Sequence, residues 1–132
     1  MKSVIALLAA SAIATTAFAA GTTEKLPSGV VVEQIKQGTG AQPTADDTVS
    51  VNYRGTLADG TEFDSSSKHG GPATFPLNRV IPCWTQGVQK IKVGGKAKLT
   101  CPAATAYGSR GVGAIPPNSD LTFEVELLEI KK

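Results

Sequence analysis

The chain has 132 residues, enough for one domain with its own core and too few for two of ordinary size. Its net charge is +2, falling to +1 without Lys2, and the lysines and arginines are scattered, so nothing marks an electrostatic footprint for nucleic acid. A single histidine and two well-separated cysteines offer no paired metal ligands, and neither a metal nor another cofactor is expected.

Residues 1–19 read as a secretory signal peptide: Lys2, then a Val, Ile, Leu and Ala run, then small residues ending Ala17, Phe18, Ala19. A membrane anchor would need about 20 strongly apolar residues. Here Ser11, Thr15 and Thr16 dilute the run beyond Ala10, and no cysteine follows as a lipid acceptor. The mature chain is therefore expected to start near Ala20 or Gly21 and to have no membrane attachment. Residues 20–28 are polar and aperiodic and read as a flexible lead-in, with one domain over residues 29–132.

Val30 to Lys36 is rich in β-branched residues and ends at Gly38-Thr39-Gly40, which predicts a strand and a turn. Val49, Val51 and Tyr53 alternate with Ser50, Asn52 and Arg54, the pattern of a half-buried strand. Asp59-Gly60 is a hairpin signal, so Thr61 to Asp64 should return as the next strand. Ser65 to Pro72 has the composition of an exposed loop, and Ala73 to Leu77 reads as a short strand after it.

One helix is predicted. Pro82 suits a first helical position, Trp84, Val88 and Ile91 share a face, and Gly94-Gly95 ends it. Two alternating strands follow, one over Lys96 to Cys101 and a clearer one carrying Leu121, Phe123, Val125 and Leu127 on a single side. The sum is about five antiparallel strands around one short helix, an antiparallel α+β domain with one sheet face covered and the other meeting water.

Nucleophilic chemistry finds little support. Cys83 or Cys101 with His69, or Ser65 to Ser67 near His69 and Asp64, lack an identifiable activating environment. In an exported chain the two cysteines are either a disulfide or two buried small hydrophobes, and residue pattern weighs these readings evenly. Gly38 to Pro43 (GTGAQP) resembles half of a dinucleotide fingerprint but opens no helix. The six aromatics after the leader, Tyr53, Phe63, Phe75, Trp84, Tyr107 and Phe123, read either as core or as the lining of an apolar ligand pocket with polar tips.

Three segments carry a resemblance: VSVNYRGTLADGTEFDSS (Val49 to Ser66), FPLNRVIPCWTQGVQKIKVGGKAKLTCP (Phe75 to Pro102) and AYGSRGVGAIPPNSDLTFEVELL (Ala106 to Leu128). In order and spacing they closely resemble FKBP-type prolyl isomerases, and the similarity runs from about Leu26 to Ile130. The chain looks most like the catalytic domain of bacterial members related to the macrophage infectivity potentiator, without their long N-terminal helical dimerisation region. A monomer is therefore the default.

The resemblance implies a twisted antiparallel sheet curved around the helix, with the active pocket between them. It assigns catalytic positions to Tyr53, Phe63, Asp64, Ile81, Trp84, Tyr107 and Phe123, with Trp84 as the floor, and substrate contacts to Phe75, Val80 and Ile115. Ile81 N–H and the Tyr107 hydroxyl are implied as donors to carbonyls of a bound peptide, and Asp64 as the group orienting the Tyr53 hydroxyl. Many relatives carry Arg where this chain has His69, which implies a partner for Asp64 whose charge depends on pH. Some relatives also have cysteines at the places of Cys83 and Cys101, which favours a disulfide there.

The implied function is acceleration of X-Pro isomerisation in unfolded or partly folded exported polypeptides, in the periplasm or, alternatively, after secretion. The implied mechanism is desolvation and stabilisation of a twisted amide in an apolar pocket. Tacrolimus and rapamycin are implied as pocket ligands. The competing reading is a binding module or holdase that uses the same pocket.

Overall fold

Leu121, Phe123, Val125 and Leu127 lie on the longest strand among the described residues, and all four are buried. The computed structural model describes residues 22–131, so the signal-peptide assignment over residues 1–19 falls outside the described residues. The strands are β1 (Thr23–Lys25), β2 (Val31–Lys36), β3 (Thr48–Leu57), β4 (Glu62–Ser65), β5 (Ala73–Pro76), β6 (Lys96–Cys101) and β7 (Leu121–Lys131). The helix is α1 (Pro82–Val88), and single 3-10 turns occupy Ser66–His69, Leu77–Arg79 and Ala103–Thr105.

All strand pairs are antiparallel, in the order β1-β2-β6-β7-β3-β4, and β5 also pairs with β3. This is the expected antiparallel α+β arrangement. Register explains its sidedness: Phe123 lies opposite Leu99 on β6 and Gly55 on β3, while Val125 lies opposite Ala97 and Tyr53. The intervening positions place Glu124 opposite Lys98 and Arg54 on the solvated face. Lys96 and Glu124 stand 3.7 Å apart there, and Asn52 donates to Glu126 at 3.3 Å.

The inner face is covered by α1, which buries Cys83, Trp84, Gly87 and Val88. Pro82 at its first position lacks only an N–H that has no helical acceptor in any case. Gly87 meets the sheet where a Cβ would lie 2.9 Å from Leu99 Cδ2, so close approach of helix and β6 requires glycine. A disulfide joins Cys83 in the first turn of α1 to Cys101 at the end of β6, with a Cα separation of 5.6 Å.

Four sequence expectations need correction. The strands number seven among the described residues rather than about five. The one strand without a counterpart among the segments read as strands falls in the supposed flexible lead-in: Thr23–Lys25 folds back to pair with Val31–Glu33, because Gly29, at φ +97°, permits the intervening turn. Backbone pairing, not apolar content, makes that strand, and Leu26 beside it is buried.

The helix is also shorter than the apolar spacing suggests. Regular α-geometry stops at Val88, and tighter i→i−3 bonds from Lys90 to Gly87 and from Ile91 to Val88 carry Ile91 into the core. Finally, the stretch Ser65 to Pro72 is not an exposed loop throughout. Its first four residues after β4 form a 3-10 turn, and Ser65 and Ser66 are buried. The glycines of GTGAQP serve packing, since a Cβ on Gly38 would sit 2.4 Å from Lys92 O and 2.5 Å from Val93 O.

Candidate active site

The sequence places Tyr53, Gly55 and Phe123 side by side on β3 and β7, facing α1. From the helix, Trp84 rises between them, 4% exposed. Its ring meets Tyr53 at 5.3 Å, Phe75 at 5.4 Å and Phe123 at 5.3 Å, with interplanar angles of 81°, 85° and 88°. Edge-to-face packing of this kind sets the positive ring edge against the negative ring face and fixes the rings mutually. The indole Nε1 is buried and has no hydrogen-bond partner among the described residues.

Above this floor lies a cavity of about 480 Å³, within the usual range for small-ligand sites. Its lining is Tyr53, Phe63, Asp64, Phe75, Arg79, Val80, Ile81, Trp84, Tyr107 and Phe123. Phe63, on β4, packs edge-on against Phe123 at 5.5 Å. Val80 and Ile81 enter from the segment joining the 3-10 turn Leu77–Arg79 to α1, where Ile81 is the N-cap in extended geometry. Tyr107 enters from the irregular segment after the 3-10 turn Ala103–Thr105.

One polar constellation marks the rim. Tyr53 Oη donates to Asp64 Oδ2 at 2.8 Å, His69 Nε2 lies 2.8 Å from Asp64 Oδ1, and Ser65 N–H donates to that same Oδ1 at 2.8 Å. Partial burial pulls the Asp64 carboxyl upward, but these hydrogen bonds and the nearby imidazole outweigh it and leave its pKa below the ordinary carboxylate value. Burial, followed by the hydrogen bond and negative charge of Asp64, pushes the Tyr53 phenol up to about 12. Tyr53 is thus held neutral, as a donor committed to Asp64.

Tyr53 is positioned by an interruption in the sheet edge. β5 pairs with β3 over Thr48–Val51 and β4 over Arg54–Thr56, leaving Tyr53 between them. Its N–H is met instead by the hydroxyl of Ser66 at 3.0 Å. Sequence composition assigns Ser66 to a solvent loop, and only its place opposite the gap gives it this task.

Nine of the ten residues the resemblance assigns to the site line the cavity. Ile115 does not: it pairs with Val112 and buries its side chain in the core, 6% exposed. The long segment from Ala106 to Asp120 curls back on itself, Asn118 N–H donating to Gly108 O at 2.7 Å, and this turns Ile115 inward. Arg79 lines the cavity without having been expected there. No group of three or more His, Cys, Asp or Glu residues suited to a metal occurs among the described residues, and no helix among them is long and apolar enough to cross a membrane.

Comparison with known proteins places this geometry. The family described as FKBP-type peptidyl-prolyl cis-trans isomerase matches residues 39–128. The chain is 57% identical over 105 residues to FKBP-type peptidyl-prolyl cis-trans isomerase FkpA of Aeromonas hydrophila, covering 80% of this chain and 39% of that one. It is 49% identical over 108 residues to the outer membrane protein MIP of Legionella longbeachae, covering 81% of this chain and 46% of that one. The chain therefore spans less than half the length of these relatives. The crystal structure of FkpA from Escherichia coli superposes with a TM-score of 0.79 at 50% identity, covering 83% of this chain and 51% of that one. The matched segment contains α1 and every cavity-lining residue, and on this evidence the chain belongs to the FKBP-type peptidyl-prolyl cis-trans isomerase family.

Proposed function

We propose that this chain accelerates cis/trans isomerisation of X-Pro bonds in unfolded or partly folded exported polypeptides. The observation that carries the proposal is the apolar cavity floored by Trp84, with the neutral Tyr53 hydroxyl and the Asp64 carboxylate at its rim.

Amide rotation is opposed by about 18–20 kcal/mol because delocalisation favours the planar forms. Water stabilises the planar amide by hydrogen-bonding its polarised carbonyl. An aromatic cavity that takes up the proline ring strips that water and fits the twisted amide better than either planar isomer, which lowers the barrier without a covalent step. In this mechanism Trp84, Phe63, Phe75 and Phe123 enclose the ring, and Val80 shapes the entrance. Ile81 N–H and the Tyr107 hydroxyl hold carbonyls of the bound peptide. Asp64 fixes the direction of the Tyr53 hydroxyl and is not a base.

The setting proposed is the periplasm, after removal of residues 1–19. The mature chain acts as a monomer formed by a single domain, residues 29–132 together with the strand Thr23–Lys25 that pairs with β2, and tacrolimus- and rapamycin-type ligands occupy the same cavity. Uncatalysed X-Pro exchange takes about tens to hundreds of seconds, so a modest acceleration shortens folding. A stopped-flow isomerisation assay on proline tetrapeptides tests the reading. Acceleration by the parent, strongly reduced in folded Asp64→Ala and Phe123→Ala variants, supports it. A folded parent that accelerates no peptide refutes it and leaves a binding module.

A further inference from the structure

Two charged side chains line the cavity, Asp64 and Arg79, and they differ in what occupies them. Both oxygens of Asp64 are engaged, one by Tyr53 and the other by His69 and Ser65 N–H. Arg79 closes the 3-10 turn Leu77–Arg79, is exposed, and forms no ion pair or hydrogen bond with any described residue. Apart from these two side chains the cavity lining is uncharged, and Val80 and Ile81, which follow Arg79 in the chain, belong to it. A guanidinium presents a rigid fork of donors that matches a carboxylate in two-point contact, and a low-dielectric wall on one side extends the reach of its field. Its position also disfavours a second cation at the mouth.

We propose that Arg79 is a specificity residue that selects polypeptides bearing Asp or Glu immediately beside the proline over those bearing Lys or Arg there. The inference rests on the prolyl isomerase reading above and gives it a substrate class: acidic segments around X-Pro bonds. Because the guanidinium is exposed, the selection is modest and sensitive to salt.

The test compares tetrapeptides carrying Glu, Gln or Lys immediately before or after the proline, with a Leu-Pro peptide as reference, on the parent, Arg79→Gln and Arg79→Glu proteins. In at least one of the two positions the parent should show a Glu-over-Lys ratio in kcat/KM of about two- to five-fold at low salt. That ratio should shrink as salt rises, approach one in Arg79→Gln and invert in Arg79→Glu. The fluorescence of Trp84, the chain's single tryptophan, reports the same preference as a ratio of Kd values independently of turnover. Equal Glu-over-Lys ratios in the parent and Arg79→Gln, by either readout, overturn the inference. Failure of the parent on the Leu-Pro reference instead sinks the isomerase reading, and the fluorescence ratios then decide the role of Arg79 alone.

Discussion

Gly55 lies opposite Phe123 in the β3–β7 register, and the ring of Phe63 occupies the space above it. A Cβ at Gly55 would fall 2.6 Å from Phe63 Cζ and 2.8 Å from Phe123 Cε1. Gly55→Ala should therefore displace one of two cavity-lining rings, lowering stability by about 1–3 kcal/mol through overpacking and reducing kcat/KM with it. Urea denaturation and the tetrapeptide assay check both; unchanged values in the variant would show that the rings move aside without cost.

The Tyr53 phenol, pushed up to about 12, should be slow to ionise. Its pKa is raised on folding, so its contribution to stability is complete below the unfolded value of about 10 and disappears as pH rises through 12. In a Tyr107→Phe background Tyr53 is the single tyrosine, and its phenolate absorbance reads the titration. Asp64→Ala should bring the midpoint down but leave it above 10, because burial, the larger cause, persists.

Asp64 carries the opposite sign. Its folded pKa is lowered, so its contribution is present above the unfolded carboxyl value of about 3.9 and is lost as pH falls through the lower folded value. A carboxyl-carbon NMR titration should place its midpoint below that of a free aspartate, and His69→Gln and Tyr53→Phe should each raise it. A midpoint indifferent to both substitutions would remove them as causes.

The Cys83–Cys101 bridge closes a loop of 18 residues, for which chain entropy gives about 3 kcal/mol of stabilisation. Reduction, or the Cys83→Ala/Cys101→Ala double variant, should lower the urea midpoint and steepen the m-value, since an unbridged unfolded chain exposes more surface. An m-value that does not change would mean that the bridge acts on the folded state alone.

Much of the architecture is legible in the sequence where side chains alternate over a half-buried sheet, as in β3, β6 and β7. β1 is not, because Thr23, Glu24 and Lys25 bury nothing and are ordered by backbone bonds to β2. The shortened helix shows the same limit: Ile91 keeps its apolar phase through i→i−3 turns as well as it would in an α-helix. At the site, the motif segments bring together the aromatics, Asp64, Val80, Ile81 and Tyr107. Arg79 escapes such reading because its place on the rim depends on where a 3-10 turn ends, and Ile115 lies off the cavity lining in an irregular segment that has no period to fix its direction. The role of Ser66 is equally hidden, as it depends on two other strands stopping short of each other.

That interruption along the edge of β3 has a developmental consequence for the pocket. Asp64 is indexed by its pairing opposite Gly55 and Phe75 by its pairing opposite Val49, so both are measured off the same strand as off one ruler. The chain between them, with Gly70 and Gly71 in open space, sets neither position. Insertions or deletions around Gly70 and Gly71 can therefore accumulate during divergence while the two walls keep their separation, and the mouth of the pocket is free to diversify around a fixed interior.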